Sequence, residues 1–262
     1  MRLKNNHMNK NSFFNIKRFL HLLRREVHVN LKRNLLIIGA LYSIFTIIMF
    51  LVFEFGEEDF RQEILKTFHI IIFFVMLFTG GVFITSFSFI ELRDKMKSHF
   101  YLLTPGSNFE KFLVNITISL FGYIAFMLIS YLAYSSLFNW AVLQVYHIDF
   151  YGLNFVDENF KLMMQIFIAL QSLFFLGALT FKKYPVILTP IAGFIVLAIF
   201  SLFIELMGHM IFPDLEVRNH FYELSIDDFI QQHENWIHAI MLYILPVIIW
   251  FTAYLKLNEK EY

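Results

Sequence analysis

Residues Val186–Ile204 read VILTPIAGFIVLAIFSLFI, nineteen residues without a charge. At 1.5 Å per residue a helix of that length covers roughly 30 Å, the hydrocarbon thickness of a bilayer. Lys182-Lys183 stand just before the run and Glu205 just after it. Five further apolar runs of similar or greater length accompany it: Leu35–Phe53, Phe68–Ile90, Phe112–Phe138, Leu162–Phe181 and Ile237–Leu255. The pattern predicts an all-α membrane protein with six transmembrane helices.

The connections between the runs alternate in charge. Residues 1–34 hold nine Lys or Arg, 91–111 hold four, Lys182-Lys183 form a tight turn, and Lys256 and Lys260 close the chain. Together these carry 17 of the 21 basic residues. The other three connections, 54–67, 139–161 and 209–236, hold only Arg61, Lys66, Lys161 and Arg218, but 14 of the 21 acidic residues. Basic loops are retained on the cytoplasmic side during insertion, so both termini are expected inside (N-in/C-in).

Composition agrees: 58% of residues are apolar and 16% charged, which leaves no stretch for a separate soluble domain. Residues 1–262 are expected to form one membrane domain. The zero formal net charge averages a basic face with an acidic one. Retention beside the membrane accounts for the basic stretches, and no nucleic-acid partner is expected. Cysteine is absent, which removes disulfides and thiolate metal sites.

Before the first run, residues 12–33 read as a basic amphipathic helix. Phe13, Ile16, Leu20, Leu23, Val27 and Leu31 recur at steps of three and four, and Lys17 and Arg24 are among the cations filling the remainder. Such a helix is expected to lie in the interface with its apolar stripe among lipid acyl chains. It serves as an insertion anchor or transmits motion from a cytoplasmic partner. The connection 91–111 is longer than a hairpin requires, and its first part mixes both charge signs. Pro105-Gly106 marks a turn. Ser107 with Glu110 has capping-box spacing, so the third helix is expected to start at Ser107 and to enter the bilayer near Phe112. Residues 209–236 form an extracytoplasmic segment, with a short helix capped at Ser225 that rests on the membrane or dips into it.

No catalytic residue or metal site is expected. His233 and His238 are five positions apart, about 140° around a helix, too far to share a metal. Glu57-Glu58-Asp59-Phe60-Arg61 is one residue short of an intramembrane-protease spacing. Gly80-Gly81, and likewise Gly122, Gly177 and Gly193, read as close helix contacts. Ser86 and Ser88 are expected to pack or to bond the helix backbone, and Asn115 and Gln171 to bond between helices. Glu205 and His209, at i and i+4, form a candidate intramembrane polar pair near the end of the fifth span.

The run Phe100-Tyr101-Leu102-Leu103-Thr104-Pro105-Gly106-Ser107-Asn108-Phe109-Glu110-Lys111-Phe112 resembles a leucine-rich, Pro-small-Ser-Asn-Leu-Glu-Lys stretch in permease subunits of ABC-2 type transporters, in their Bacteroidetes branch. Phe109 stands where Leu is usual and Gly106 where Ala is common. The tail Tyr254–Glu261 and the six-span layout are similar too. The resemblance implies a permease that is not itself an enzyme. Its residues 91–103 would carry the coupling helix to a separate cytoplasmic ATPase, with Glu91, Arg93, Asp94, Lys95, Lys97, His99 and Phe100 at the contact. The helix of Phe13, Ile16, Lys17, Leu20, Leu23, Arg24 and Val27 would lie against it. The chain has no Gly-x-x-x-x-Gly-Lys-Ser/Thr loop, so ATP and magnesium would be held by the partner. Two permeases, identical or related, would pair around an export path lined by spans one, two and five. The rival readings are an intramembrane enzyme using Glu205, His209 or Glu57-Glu58, and a non-transporting assembly or scaffold protein.

Overall fold

A computed structural model of the chain describes residues 13–55, 58–146, 158–211, 236 and 238–261. Every regular element among the described residues is helical. In chain order they are α1 (Ile16–Phe55), α2 (Glu58–Ser86), a 3₁₀ turn (Ile90–Arg93), α3 (Lys95–Leu103), α4 (Asn108–Ile116), a π-helical turn (Thr117–Gly122) and α5 (Tyr123–Tyr146). There follow α6 (Glu158–Thr180), α7 (Pro185–Ile211), a π-helical turn (Ile240–Ile244), α8 (Leu245–Asn258) and a 3₁₀ turn (Glu259–Glu261).

Five stretches are long and apolar enough to cross a membrane: Ile16–Leu51, Asn108–Ala141, Asn159–Thr180, Pro185–Met207 and Ile240–Asn258. In the first of them the uncharged part begins after Arg33. Ile71–Ser86 adds a shorter apolar helix. By length and composition this is the pattern of a multi-pass membrane protein. Burial points the same way. None of the apolar window of α7 is buried, and Phe194, Leu197, Phe200 and Phe203 stand exposed along it. So large an apolar surface is stable in lipid and would drive association in water.

The sequence led us to expect a separate interfacial helix over 12–33, ahead of a span beginning at Leu35. Instead α1 is one helix of 40 residues, about 60 Å long. Asn15 starts it: its Oδ1 accepts the Lys17 N–H at 2.9 Å. No Pro or Gly then lies between Asn15 and Leu36 to end it. The expected connection 54–67 is likewise mostly helix, since α2 begins at Glu58. At its other end α2 stops at Ser86, short of the expected Ile90, and the chain turns through Ile90–Arg93.

The capping box predicted at Ser107 is present. The Glu110 N–H donates to Ser107 Oγ at 3.2 Å, and the Ser107 N–H donates to Glu110 Oε2 at 3.0 Å. The Lys182-Lys183 turn is equally tight, α6 ending at Thr180 and α7 starting at Pro185. Tyr184 takes a left-handed φ of 51° there. The segment 212–235, with the short helix expected at Ser225, lies outside the described residues, as do Glu57 and His233.

Two apolar clusters hold the helices together. The larger joins α1, α2, α5 and α6 around Met49, Phe73, Leu77, Met127, Tyr131 and Phe167. The other joins residues 89–112 to α6 and α8 through Phe89, Tyr101, Phe112, Phe175, Ala253 and Leu257. Glycine sets the closest approaches. A Cβ at Gly81 would overlap Gln171 Nε2, and one at Gly177 would overlap Thr189 Oγ1. Gly80 similarly lies against the Tyr123 hydroxyl, which donates to the Met76 carbonyl at 2.9 Å. Gly193 differs from the expectation: nothing lies within 4 Å of its would-be Cβ, and at Gly122 the nearest atom is the Thr117 carbonyl oxygen. Gln171 bonds between helices as predicted, accepting from Thr85 Oγ1. Asn115 also does so, donating to the Tyr101 hydroxyl at 3.1 Å. Ser88 bonds back to the Ile84 carbonyl, whereas buried Ser86 Oγ has no partner among the described residues.

Candidate functional site

The four basic stretches of the sequence converge on one end of the helix bundle. Arg18 pairs with Glu110 at 2.8 Å, joining the first stretch to the second. Asn108 donates to Asn258 Oδ1 at 3.0 Å, joining the second to the tail. Burial lowers the proton affinity of Lys260, and the neighbouring cations Lys182, Lys256 and Arg93 lower it further, so the third stretch is close as well.

Glu110 is the centre of this junction. It is fully buried, and besides closing the cap of α4 it accepts from the Asn15 N–H at 2.6 Å and from Arg18 Nε at 3.2 Å. Ser107 Oγ donates to the Phe13 carbonyl at 2.6 Å, and Phe13 stacks on Phe109 with ring centroids 4.8 Å apart. One carboxylate thus caps α4 and fixes the start of α1 beside it.

A second knot lies two turns along α1. Arg25 reaches Glu26 at 2.7 Å and Glu91 at 3.0 Å, and Asn30 Nδ2 donates to Glu26 Oε2 at 2.9 Å. Arg25 and Asn30 thus supply the buried Glu26 carboxylate with a cation and an amide donor. Leu22, Glu26 and Asn30, at steps of four, make the buried edge of α1. The predicted apolar stripe points the other way. Phe13, Ile16, Leu20 and Val27 are exposed, Leu23 is half-buried, and Lys17 and Arg24 are exposed beside them. A polar edge turned inward and an apolar stripe turned outward suit a helix bordering lipid.

The residues expected at the 91–111 contact fall into two groups. Glu91, Arg93 and Asp94 are structural. Glu91 pairs with Arg25, Arg93 donates to the Ser86 carbonyl, and Asp94 caps α3 by accepting from the Met96 N–H at 2.9 Å. Lys95, Lys97, His99 and Phe100 are displayed on α3. Met96, Phe100 and Leu103, at i, i+4 and i+7, are 72%, 70% and 78% exposed and form one apolar stripe. Tyr101 anchors the opposite side. It is buried, bonded to Asn115 and overlain by Lys111 Nζ at 5.6 Å. Burial, with Glu26 and Glu91 nearby, raises its phenol well above the ordinary range.

Sequence reasoning missed Glu26, Arg25, Asn30, Met96 and Leu103. Glu26 carried a signal: it is the lone acid among nine Lys and Arg in residues 1–34. Met96 and Leu103 could have been found from their spacing with Phe100. Of the expected intramembrane pair, Glu205 is exposed on α7, and the side chain of His209 lies outside those described. Comparison of the chain with protein-family models, curated proteins and solved structures finds no match.

Proposed function

We propose that the chain is the membrane-spanning permease subunit of an ATP-driven transporter of the ABC-2 type, working as an exporter. In this reading it crosses a bacterial inner membrane six times, the helix containing Ile71–Ser86 supplying the remaining span. The end carrying the basic stretches faces the cytoplasm, together with both termini. Two copies, or this chain and a related one, pair around the transported substrate, and a separate ATPase holds the nucleotide and magnesium.

The observation that carries the reading is α3. A nine-residue helix lies at the basic end, in the connection where the resemblance expects a coupling helix. It turns three large apolar side chains, two lysines and His99 away from its own protein. Short amphipathic helices with anchors at i, i+4 and i+7 fit grooves in partner proteins. Behind it, Tyr101 bonds α3 to α4, and the Glu110 and Arg25 knots join α4 and the Ile90–Arg93 turn to α1, so a push on α3 would pass through these neighbours to a helix long enough to cross the bilayer. A rearrangement driven by ATP in the partner would reach the membrane along that route.

Purification of the full chain with its ATPase tests this. Met96→Asp with Phe100→Asp should abolish association while leaving membrane insertion and monomer folding intact. Lys95→Glu with Lys97→Glu should weaken association in a salt-dependent way. Unchanged copurification of both double variants would overturn the assignment of α3, and purification without any ATPase would overturn the transporter reading.

A further inference from the structure

Between α1 and the π-helical turn at Thr117–Gly122 runs an apolar groove of about 340 Å³. α1 contributes Val27, Leu31, Asn34 and Ile38 to its walls, the opposite wall includes Phe121, and Ile84 of α2 lies along it. The volume is within the range of small-ligand pockets, roughly 300–1,000 Å³.

Two arginines stand over Phe87, three residues beyond Ile84 of the groove wall. The Arg33 guanidinium lies 5.6 Å from the centroid of the Phe87 ring and that of Arg93 lies 5.5 Å from it. Phe87 is one turn beyond Ile84, its N–H bonding the Ile84 carbonyl at 3.2 Å. Arg33 also donates, at 3.3 Å, to Asn34, which itself lines the groove. Among the described residues neither arginine forms an ion pair. The adjacent carboxylates, Glu26 and Glu91, are engaged by Arg25 and Asn30, so three guanidiniums face two carboxylates. Arg93 donates from Nη2 to the Ser86 carbonyl, its Nε is buried without an acceptor among the described residues, and burial holds its guanidinium below the ordinary range.

We propose that this place binds one anionic phospholipid, its phosphate against Arg33 and Arg93 and an acyl chain along the groove. Charge complementarity selects the occupant. Paired guanidiniums match a phosphate's oxygens, and an apolar channel next to them matches a hydrocarbon tail. A free phosphate would leave the groove empty, and a fatty acid would supply a weaker anion. The inference requires only that the chain sits in a bilayer and does not depend on an ATPase partner.

The test uses the purified full chain, delipidated and titrated with phosphatidylglycerol, phosphatidylcholine or inorganic phosphate under native mass spectrometry. One phosphatidylglycerol should bind about tenfold more tightly than phosphatidylcholine. Arg33→Gln with Arg93→Gln should abolish that preference, and Arg33→Lys with Arg93→Lys should restore part of it. On the unmodified protein, phosphatidylglycerol carrying a photoactivatable acyl chain should label peptides containing 23–38 and 117–126. Labelling spread evenly onto α7, a preference that survives the Gln variant, or saturation by inorganic phosphate that leaves lipid labelling unchanged would overturn the proposal.

Discussion

The N-terminal half of α1 and the whole of α7 border the same bundle, yet different forces position them. The first is held by named polar contacts: Arg18 and Asn15 on Glu110, and Arg25 and Asn30 around Glu26 and Glu91. The second buries none of its apolar window and has Thr189 packed against Gly177 of α6. In lipid, apolar surface gives one helix no preference for another over acyl chains, so position must come from polar bonds or from close packing at small residues. α1 uses the first device and α7 the second. The N-terminal half of α1 is therefore positioned residue by residue, while most of the surface of α7 is left uncovered by the rest of the chain.

Substitutions can break that contrast. The largest effect is expected from Glu110→Ala, which removes the carboxylate half of the α4 capping box, breaks the ion pair with Arg18 and takes the acceptor from the Asn15 N–H. Because Arg18 is a third exposed, we expect a loss of about 3 kcal/mol, the low end for a broken buried pair, measured by unfolding in detergent micelles. Gly177→Val should follow, at about 1–3 kcal/mol, because its Cβ would overlap a stiff Thr189 side chain. Arg25→Ala should lose about 1 kcal/mol near neutral pH and reveal Glu26. Glu26 would keep the Asn30 bond but lose its ion pair, as melts of variant and parent side by side will show. Smallest, and of opposite sign, is Gly193→Ala: with nothing nearby, it should gain up to about 1 kcal/mol from helix propensity. A loss at Gly193 as large as that at Gly177 would show that α7 is covered along more of its length.

Much of the helical framework was legible because hydrocarbon solvation writes itself into long uncharged runs. The capping box at Ser107 was legible for a local reason, since four consecutive residues contain the whole motif. What could not be read was the continuity of α1. A change from charged to apolar residues at Asn34–Leu35 looks like a boundary in composition, but helical backbone bonds are indifferent to it. The site was legible in its location and only partly in its residues. Lys95, Lys97, His99 and Phe100 were visible as a mixed segment, whereas the partnership of Arg25 with Glu91 joins positions 66 apart and leaves no local trace. Glu91 and Arg93 looked like surface charges for the same reason, their partners being distant or backbone.

The unbroken α1 has a mechanical consequence. Its beginning is pinned at Glu110, while Met49, far along the same rod, is buried among the aromatic residues of the larger cluster. A displacement of the α4 cap is therefore expected to travel along α1 toward Met49 as a tilt of the helix, no break in the helix lying between the two contacts.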